Sequence, residues 1–199
     1  MMRAMRASLF LFATMLWSAA TGTPPDRAAE QAKAQSLLQG TFDNGAQVAK
    51  APAGAEQPVP RVTIKIEQTP QVDFSLWHVR VQTDAESTFE QTWAMQTRIE
   101  HDGSGALIPY YQLHQDAVPT AAAFDAQGWL SLEACALRGE FTATRLQGIA
   151  EGEPCVAVSM SVGARRALLP VGFTREGDWL HLDMNLRSVR TRIDAKRSP

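Results

Sequence analysis

The sequence predicts a mostly β protein: an antiparallel barrel closed on itself behind one N-terminal helix. Three observations carry this. From Arg61 to the C-terminal region, short stretches alternating apolar and polar residues recur about eight to ten times with turn residues between them. The one helical stretch lies ahead of them all. The two cysteines, Cys135 and Cys155, bracket a segment that reads as a single hairpin closed at its base. Closure is favoured because an open meander of this length leaves long unprotected edges, and a two-sheet sandwich is the alternative.

The N-terminus bears on compartment. Arg3 and Arg6 precede an apolar run from Ala7 to Trp17 that ends in Ser18-Ala19-Ala20, the order of a secretory signal peptide. Cleavage is expected near Ala20, with a site after Gly22 as runner-up, and the protein is expected to be periplasmic or secreted. The apolar run is short for a bilayer and no other stretch is long enough, so the chain is not expected to span a membrane. The whole chain has 19 basic and 21 acidic side chains; removal of Arg3 and Arg6 with the leader takes its net charge from −2 to −4. That balance gives no general attraction to nucleic acid or anionic lipid. With 45% apolar residues the remainder can bury one core. The expected organisation is a signal peptide over 1–20, a helix or linker over 21–35 and one barrel domain over 36–199. Export favours a disulfide between Cys135 and Cys155, the alternative being two reduced, buried thiols.

Taken in order, Pro24-Pro25-Asp26 starts a helix with Asp26 as N-cap, Ala28, Ala32 and Leu38 share its apolar side, and Gly40 stops it. Residues 45–60 have no usable period, and Lys50 to Pro60 reads as a surface loop. Val62, Ile64 and Ile66 then alternate with Thr63, Lys65 and Glu67 in the cleanest half-buried strand of the chain. Phe74 to Thr83 is a second strand, with Trp77, Val79 and Val81 on one face and Phe74, Leu76, His78 and Arg80 on the other. Gln91 to Glu100 is a third, turning at His101-Asp102-Gly103-Ser104-Gly105 into Ala106 to Leu113. Val118 to Gln127 allows one helical turn before a strand at Trp129 to Leu132. In the cysteine hairpin, Phe141, Ala143 and Arg145 alternate with Glu140, Thr142 and Thr144; Gly148 to Pro154 is the turn, and Val156, Val158 and Met160 resume the pattern. Arg166 to Phe173 and Trp179 to Arg187 are the last strands, the latter with Leu180, Leu182, Met184 and Leu186 inward. A basic, polar tail runs from Arg187 to Arg197.

Catalytic signatures are absent: no nucleophile elbow, no glycine-rich phosphate loop and no His-Glu-x-x-His. His78, His101, His114 and His181 lack ligand spacing, so no metal site is expected. His101 reads as a turn residue and His181 as a solvent-facing one beside Trp179 and Asp183. Trp77, Trp93, Tyr110, Tyr111, Phe141 and Trp179 fall on strands, with Arg80, Arg98 and Arg145 among them. Such a set suits a flat apolar ligand bearing carboxylates, which guanidinium pairs bidentately. The competing account has the aromatics filling the core and the arginines outside, since Arg80 and Arg98 have opposite parity to Trp77 and Trp93.

Three features fit one family pattern when taken together: Leu37-Leu38-x-Gly40-x-Phe42-x-Asn44-x-x-Gln47 at the helix end, the Pro60-x-Val62-x-Ile64-x-Ile66 strand, and the Cys135/Cys155 hairpin with Phe141 and Gly148 inside. Over roughly 36–161 the chain resembles the CpcT/CpeT phycobiliprotein chromophore lyases, and Arg98-Ile99 followed by Tyr111-x-Leu113 is similar to the next family strands. The resemblance implies a lipocalin-like (calycin) barrel that holds a linear tetrapyrrole (bilin) and presents it to an acceptor protein, whose cysteine adds to it. No further cofactor is required, and catalytic residues are not assigned. Where the family has a tyrosine followed by Glu-Gln, this chain has His78-Val79-Arg80-Val81, and Met95-Gln96-Thr97 replaces a Tyr-Arg-Gln run. These departures and the export signal favour a second reading, a non-catalytic periplasmic carrier of a small apolar ligand; a third is a structural barrel with a filled core. Arg80, Arg98, Trp93 and Tyr111 are the expected ligand contacts, and a homodimer stays open.

Overall fold

The computed structural model describes residues 27–52, 58–83, 88–100, 102–112, 118–150, 155, 169–186 and 189–199. The expected leader, the N-cap at Asp26, His101, His114, the resumed strand at 156–160 and the first part of the 166–173 strand lie outside these residues.

Helix α1 (Arg27–Leu38) leads into β1 (Gly40–Asp43), α2 (Gly45–Lys50), β2 (Arg61–Gln68), β3 (Phe74–Gln82), β4 (Thr88–Ile99) and β5 (Ser104–Gln112). Then follow β6 (Trp129–Ser131), β7 (Leu137–Phe141), β8 (Arg145–Ile149), β9 (Pro170–Glu176), β10 (Trp179–Leu186) and β11 (Val189–Arg197), with single 3-10 turns at Ala121–Ala123, Ala126–Gly128 and Glu133–Cys135. Ten strands close an antiparallel barrel in the order β1-β2-β3-β4-β5-β7-β8-β9-β10-β11 and back to β1, while β6 is added outside, on the end of β5. The expected mostly β, closed barrel is therefore observed.

Alternation does the local work. Val62, Ile64 and Ile66 of β2, Trp77, Val79 and Val81 of β3, and Leu180, Leu182 and Met184 of β10 are buried, and they join Phe42, Met95, Leu107 and Ile193 in one interior cluster. On the inward side of β5, β7 and β8, the glycines Gly105, Gly139 and Gly148 stand in one row across the sheet. A Cβ at Gly105 would lie 2.6 Å from Phe141 Cγ and one at Gly148 would lie 2.9 Å from Phe173 Cε1. The row makes room for the Phe141 and Phe173 rings, which meet edge to face at 5.8 Å. Outside the barrel, Phe74, Leu76 and Ala94 form a second cluster with Phe124 and Trp129, so the 118–136 segment covers the outer face of β3 and β4.

Helix α1 lies at the barrel end formed by the close of β4, β9 and β11. Its docked face is Gln31, Ala34, Gln35 and Leu38, not the expected Ala28 and Ala32, which are exposed. The reason is partly polar: Gln31 Nε2 donates to Thr97 O (2.7 Å) and Gln35 Nε2 to Thr97 Oγ1 (2.9 Å), so two amides dock the helix beside the buried Ala34 and Leu38. The helix runs to Leu38, just short of the stop expected at Gly40. Arg175, which is buried, donates to Leu37 O (2.8 Å), Trp179 O (3.2 Å) and Gly177 O, and Arg197 donates to Leu37 O (3.1 Å) and Gln39 O (2.6 Å). Both guanidinium groups face the Phe42 ring, at 5.0 and 5.5 Å. Two cations at helix carbonyls suit the negative end of the helix dipole. Gly40 ends the helix at φ +136°, where a side chain is strained.

Three expectations are corrected. First, Lys50, expected to begin a surface loop, ends α2, which Gly45–Lys50 form without a usable apolar period. Strand β1 is only four residues long, and beyond it Asn44 and α2 fill the seam between β2 and β11. Asn44 bonds Pro60 O (2.9 Å) and accepts from Val62 N (2.7 Å), while Gln47 bonds Arg192 O (2.9 Å) and accepts from Asp194 N (3.0 Å). Two side-chain amides thus stand in for strand backbone. Second, the cysteine hairpin turns at 142–144: Thr142 and Arg145 close it with reciprocal bonds, and Gly148, expected in the turn, lies within β8, while 151–154 fall outside the described residues. Third, the basic tail is β11, the strand that closes the barrel by pairing with both β10 and β1. Its Ile193 and Ala195 point inward, and on its outer face Arg192 and Asp194 stand opposite Asp183 and His181.

Candidate functional site

The site arises where two strands part. The C-terminal half of β4 pairs with β5 from Ile99↔Gly105 to Ala94↔Tyr110, and the pairing stops there. Tyr110, paired with Ala94 on one edge, pairs with Ser131 on the other, where β6 extends the line of β7, while Thr88 to Trp93 continue along β3. The wall between β4 and β5 therefore opens into a cavity of about 530 Å³.

Strand parity decides what faces it. Trp93 pairs with Trp77 and Gln91 with Val79, so both share the inward face of β3, and Tyr111 has the inward parity of Leu107 and Pro109. Trp93 and Tyr111 line the cavity from the interior, with Leu132 and Leu169. Lys65, His78 and Arg80 line it from the outer face of β2 and β3. The rest of the bore is filled: Trp77 packs on Trp93 at 6.3 Å and the Phe141–Phe173 pair occupies the opposite wall. The cavity is thus a window in the barrel side with an aromatic inner wall and a cationic outer rim.

The rim side chains have partners that a ligand can replace. Glu67 accepts from Lys65 Nζ (2.9 Å) and His78 Nε2 (3.2 Å), and the Lys65 hydrogen bond is the main cause holding the Glu67 carboxyl below its ordinary range. His78 Nδ1 is 3.0 Å from Thr92 Oγ1, and Arg80 Nε lies 3.5 Å from Glu90 Oε1 with both side chains exposed. Exposed pairs of this kind contribute about 0–1 kcal/mol, so an incoming carboxylate competes with them at little cost.

Of the four expected ligand contacts, Trp93, Tyr111 and Arg80 line this cavity and Arg98 does not. Arg98 lies on the outer face against Glu133 (3.3 and 3.4 Å), which also holds Arg138 at 2.6 Å. Tyr110 faces outward as well, edge to face with Phe74 at 5.0 Å and donating to Gln96 Oε1 at 3.0 Å. Lys65, His78 and Gln91 are residues that sequence reasoning did not select. Their signal is their parity relative to Trp93, which acquires meaning only once β4 and β5 are known to diverge.

Cys135 and Cys155 form the expected disulfide, with an S–S distance of 2.00 Å. It ties the 3-10 turn before β7 to the chain after β8. Among the described residues no group of three or more His, Cys, Asp or Glu side chains could hold a metal ion, and no helix is long and apolar enough to cross a membrane. His181 lies on the outer face, stacked on Trp179 (6.0 Å, 7°) with Nδ1 2.5 Å from Asp194 Oδ1.

No protein-family model, curated protein or solved structure matches the chain.

Proposed function

We propose that this protein is an exported carrier that binds a flat, apolar small molecule bearing carboxylate at the β4–β5 window. The observation that carries the reading is the opposition of Trp93 and Tyr111 to Lys65, His78 and Arg80 across one opening. Ring faces take up a planar apolar body, and the rim takes its acid groups. The disulfide fits the oxidising compartment to which an export leader would deliver the chain. A linear tetrapyrrole with two propionates belongs to this ligand class, and the resemblance to the CpcT/CpeT lyases makes it the first to try. In the finer, lyase reading the window would present the bilin to a cysteine of an acceptor protein. That reading needs a proton donor at the bound pyrrole, and His78 and Tyr111 are the groups of suitable type at the cavity.

The test is an absorbance and fluorescence titration with biliverdin, using a fluorescent fatty-acid analogue as competitor. Binding of biliverdin that weakens about tenfold in Arg80→Ala and is unchanged in Arg98→Ala supports the window. Loss in Arg98→Ala with Arg80→Ala unaffected moves the site elsewhere. Transfer to a cysteine-bearing acceptor peptide would favour the lyase reading over the carrier.

A further inference from the structure

The two tryptophans packed together in the bore are not equivalent. Trp77 Nε1 donates to Ser75 Oγ at 2.9 Å, and both residues are fully buried. Trp93 is equally buried, at 1% exposure, yet its Nε1 meets no acceptor among the described residues. Four buried side-chain polar atoms share that condition: Gln35 Oε1, Trp93 Nε1, Arg145 Nε and Arg197 Nε. Trp93 is the one whose residue lines the β4–β5 window. A buried donor left unmade forgoes stabilisation that any acceptor placed against it restores. An apolar aromatic side chain at this position would carry no orphaned N–H.

We infer that Trp93 is a specificity-determining residue whose indole N–H donates to a carbonyl-type oxygen at the inner end of the bound molecule, opposite the carboxylate held at the Lys65–His78–Arg80 rim. This rests on the window being the ligand site, and it narrows the ligand class from apolar acids in general to planar conjugated acids bearing a ring carbonyl, as in quinones and lactams. A fatty acid fills the aromatic wall and meets the rim but leaves Trp93 as it is. A ring-carbonyl acid satisfies it, and the buried setting makes that hydrogen bond count. The N–H is shielded from solvent in the ligand-free form, so reaching it involves a turn of the Trp93 ring toward the window as the ligand seats.

The experiment uses two probes of one skeleton, anthraquinone-2-carboxylate and anthracene-2-carboxylate, titrated by calorimetry into the intact protein and into Trp93→Phe. The quinone is expected to bind about tenfold more tightly than the anthracene to the intact protein, the weight of one hydrogen bond to a buried donor. In Trp93→Phe that ratio is expected to fall to about one, whatever the change in affinity common to both probes. The Trp93 indole proton, assigned through NOEs to β4, gives a readout in the unaltered chain that does not depend on the variant folding. It is expected to move downfield with the quinone and not with the anthracene. Equal affinity of the two probes for the intact protein, a ratio that survives Trp93→Phe, or an unmoved indole proton overturns the role of Trp93 while leaving the window as a binding site. Binding of neither probe overturns the window itself, and this inference with it.

Discussion

At the residue scale, the side chains of the helix-end motif act at the barrel seam. Asn44 is fully buried and serves Pro60 O and Val62 N at once. Asn44→Ala leaves both backbone groups without a partner, and a loss of about 2–3 kcal/mol in urea unfolding is expected. Gln47 works closer to solvent, and Gln47→Ala is expected to cost about 1 kcal/mol. A cost for Gln47→Ala that equals or exceeds that for Asn44→Ala would contradict this account of the seam. Gly148 is constrained by contact and not by φ: a Cβ there would lie 2.7 Å from Leu137 O, a backbone atom that cannot swing away. Gly148→Ala is expected to lower stability by about 1–3 kcal/mol through overpacking, again read from the urea midpoint. Arg175 shows the same dependence on surroundings. Burial, followed by the nearby Arg197 charge, pushes its pKa down to about 10, so it stays charged at neutral pH with carbonyls in place of a carboxylate.

At the element scale, the disulfide and β11 carry separate loads. Cys135 and Cys155 are 20 residues apart, and closing a loop of that size contributes roughly 3 kcal/mol by the chain-entropy estimate. Reduction is expected to lower the unfolding free energy by that amount while far-UV dichroism below the midpoint keeps its β signature, because β7 and β8 are also held by β5 and β9. Collapse of the β signal on reduction in the absence of urea would refute this. Strand β11 depends on its neighbours: Ile193 faces the core, and the outer face is matched in charge to β10, with Arg190 on Asp183 at 2.9 Å. Ile193→Ala is expected to cost about 2–5 kcal/mol, an effect that a frayed tail would not give. The cavity is also an element-scale feature, since β4 continues along β3 beyond Ala94 while its pairing with β5 ends there.

At the scale of the whole molecule, acid should weaken the fold. Burial tends to raise the Asp194 pKa, but hydrogen bonds from Arg192 and His181 outweigh it and hold the carboxyl below its ordinary value; Glu67 is lowered chiefly by Lys65. A carboxyl depressed on folding lends stability that is fully present above its unfolded pKa and is lost as pH falls through the folded one. The urea midpoint is therefore expected to be flat from neutral pH to about 5 and to drop below about pH 4; a midpoint that rises between pH 5 and 3 would contradict the shifts. The strands with local alternation, the disulfide and the closed β class were legible in the sequence, because a period of two and a cysteine pair are written in neighbouring residues. Of the four contacts expected by residue type, Arg80, Trp93 and Tyr111 line the window and Arg98 does not. What the tertiary structure alone decided was pairing: which amide docks α1 on Thr97, that a nine-residue polar stretch closes the barrel, that the hairpin turns at 142–144, and that β5 abandons β4 at Ala94. Each of these depends on partners far away along the chain, and no local pattern encodes where a strand parts from its neighbour.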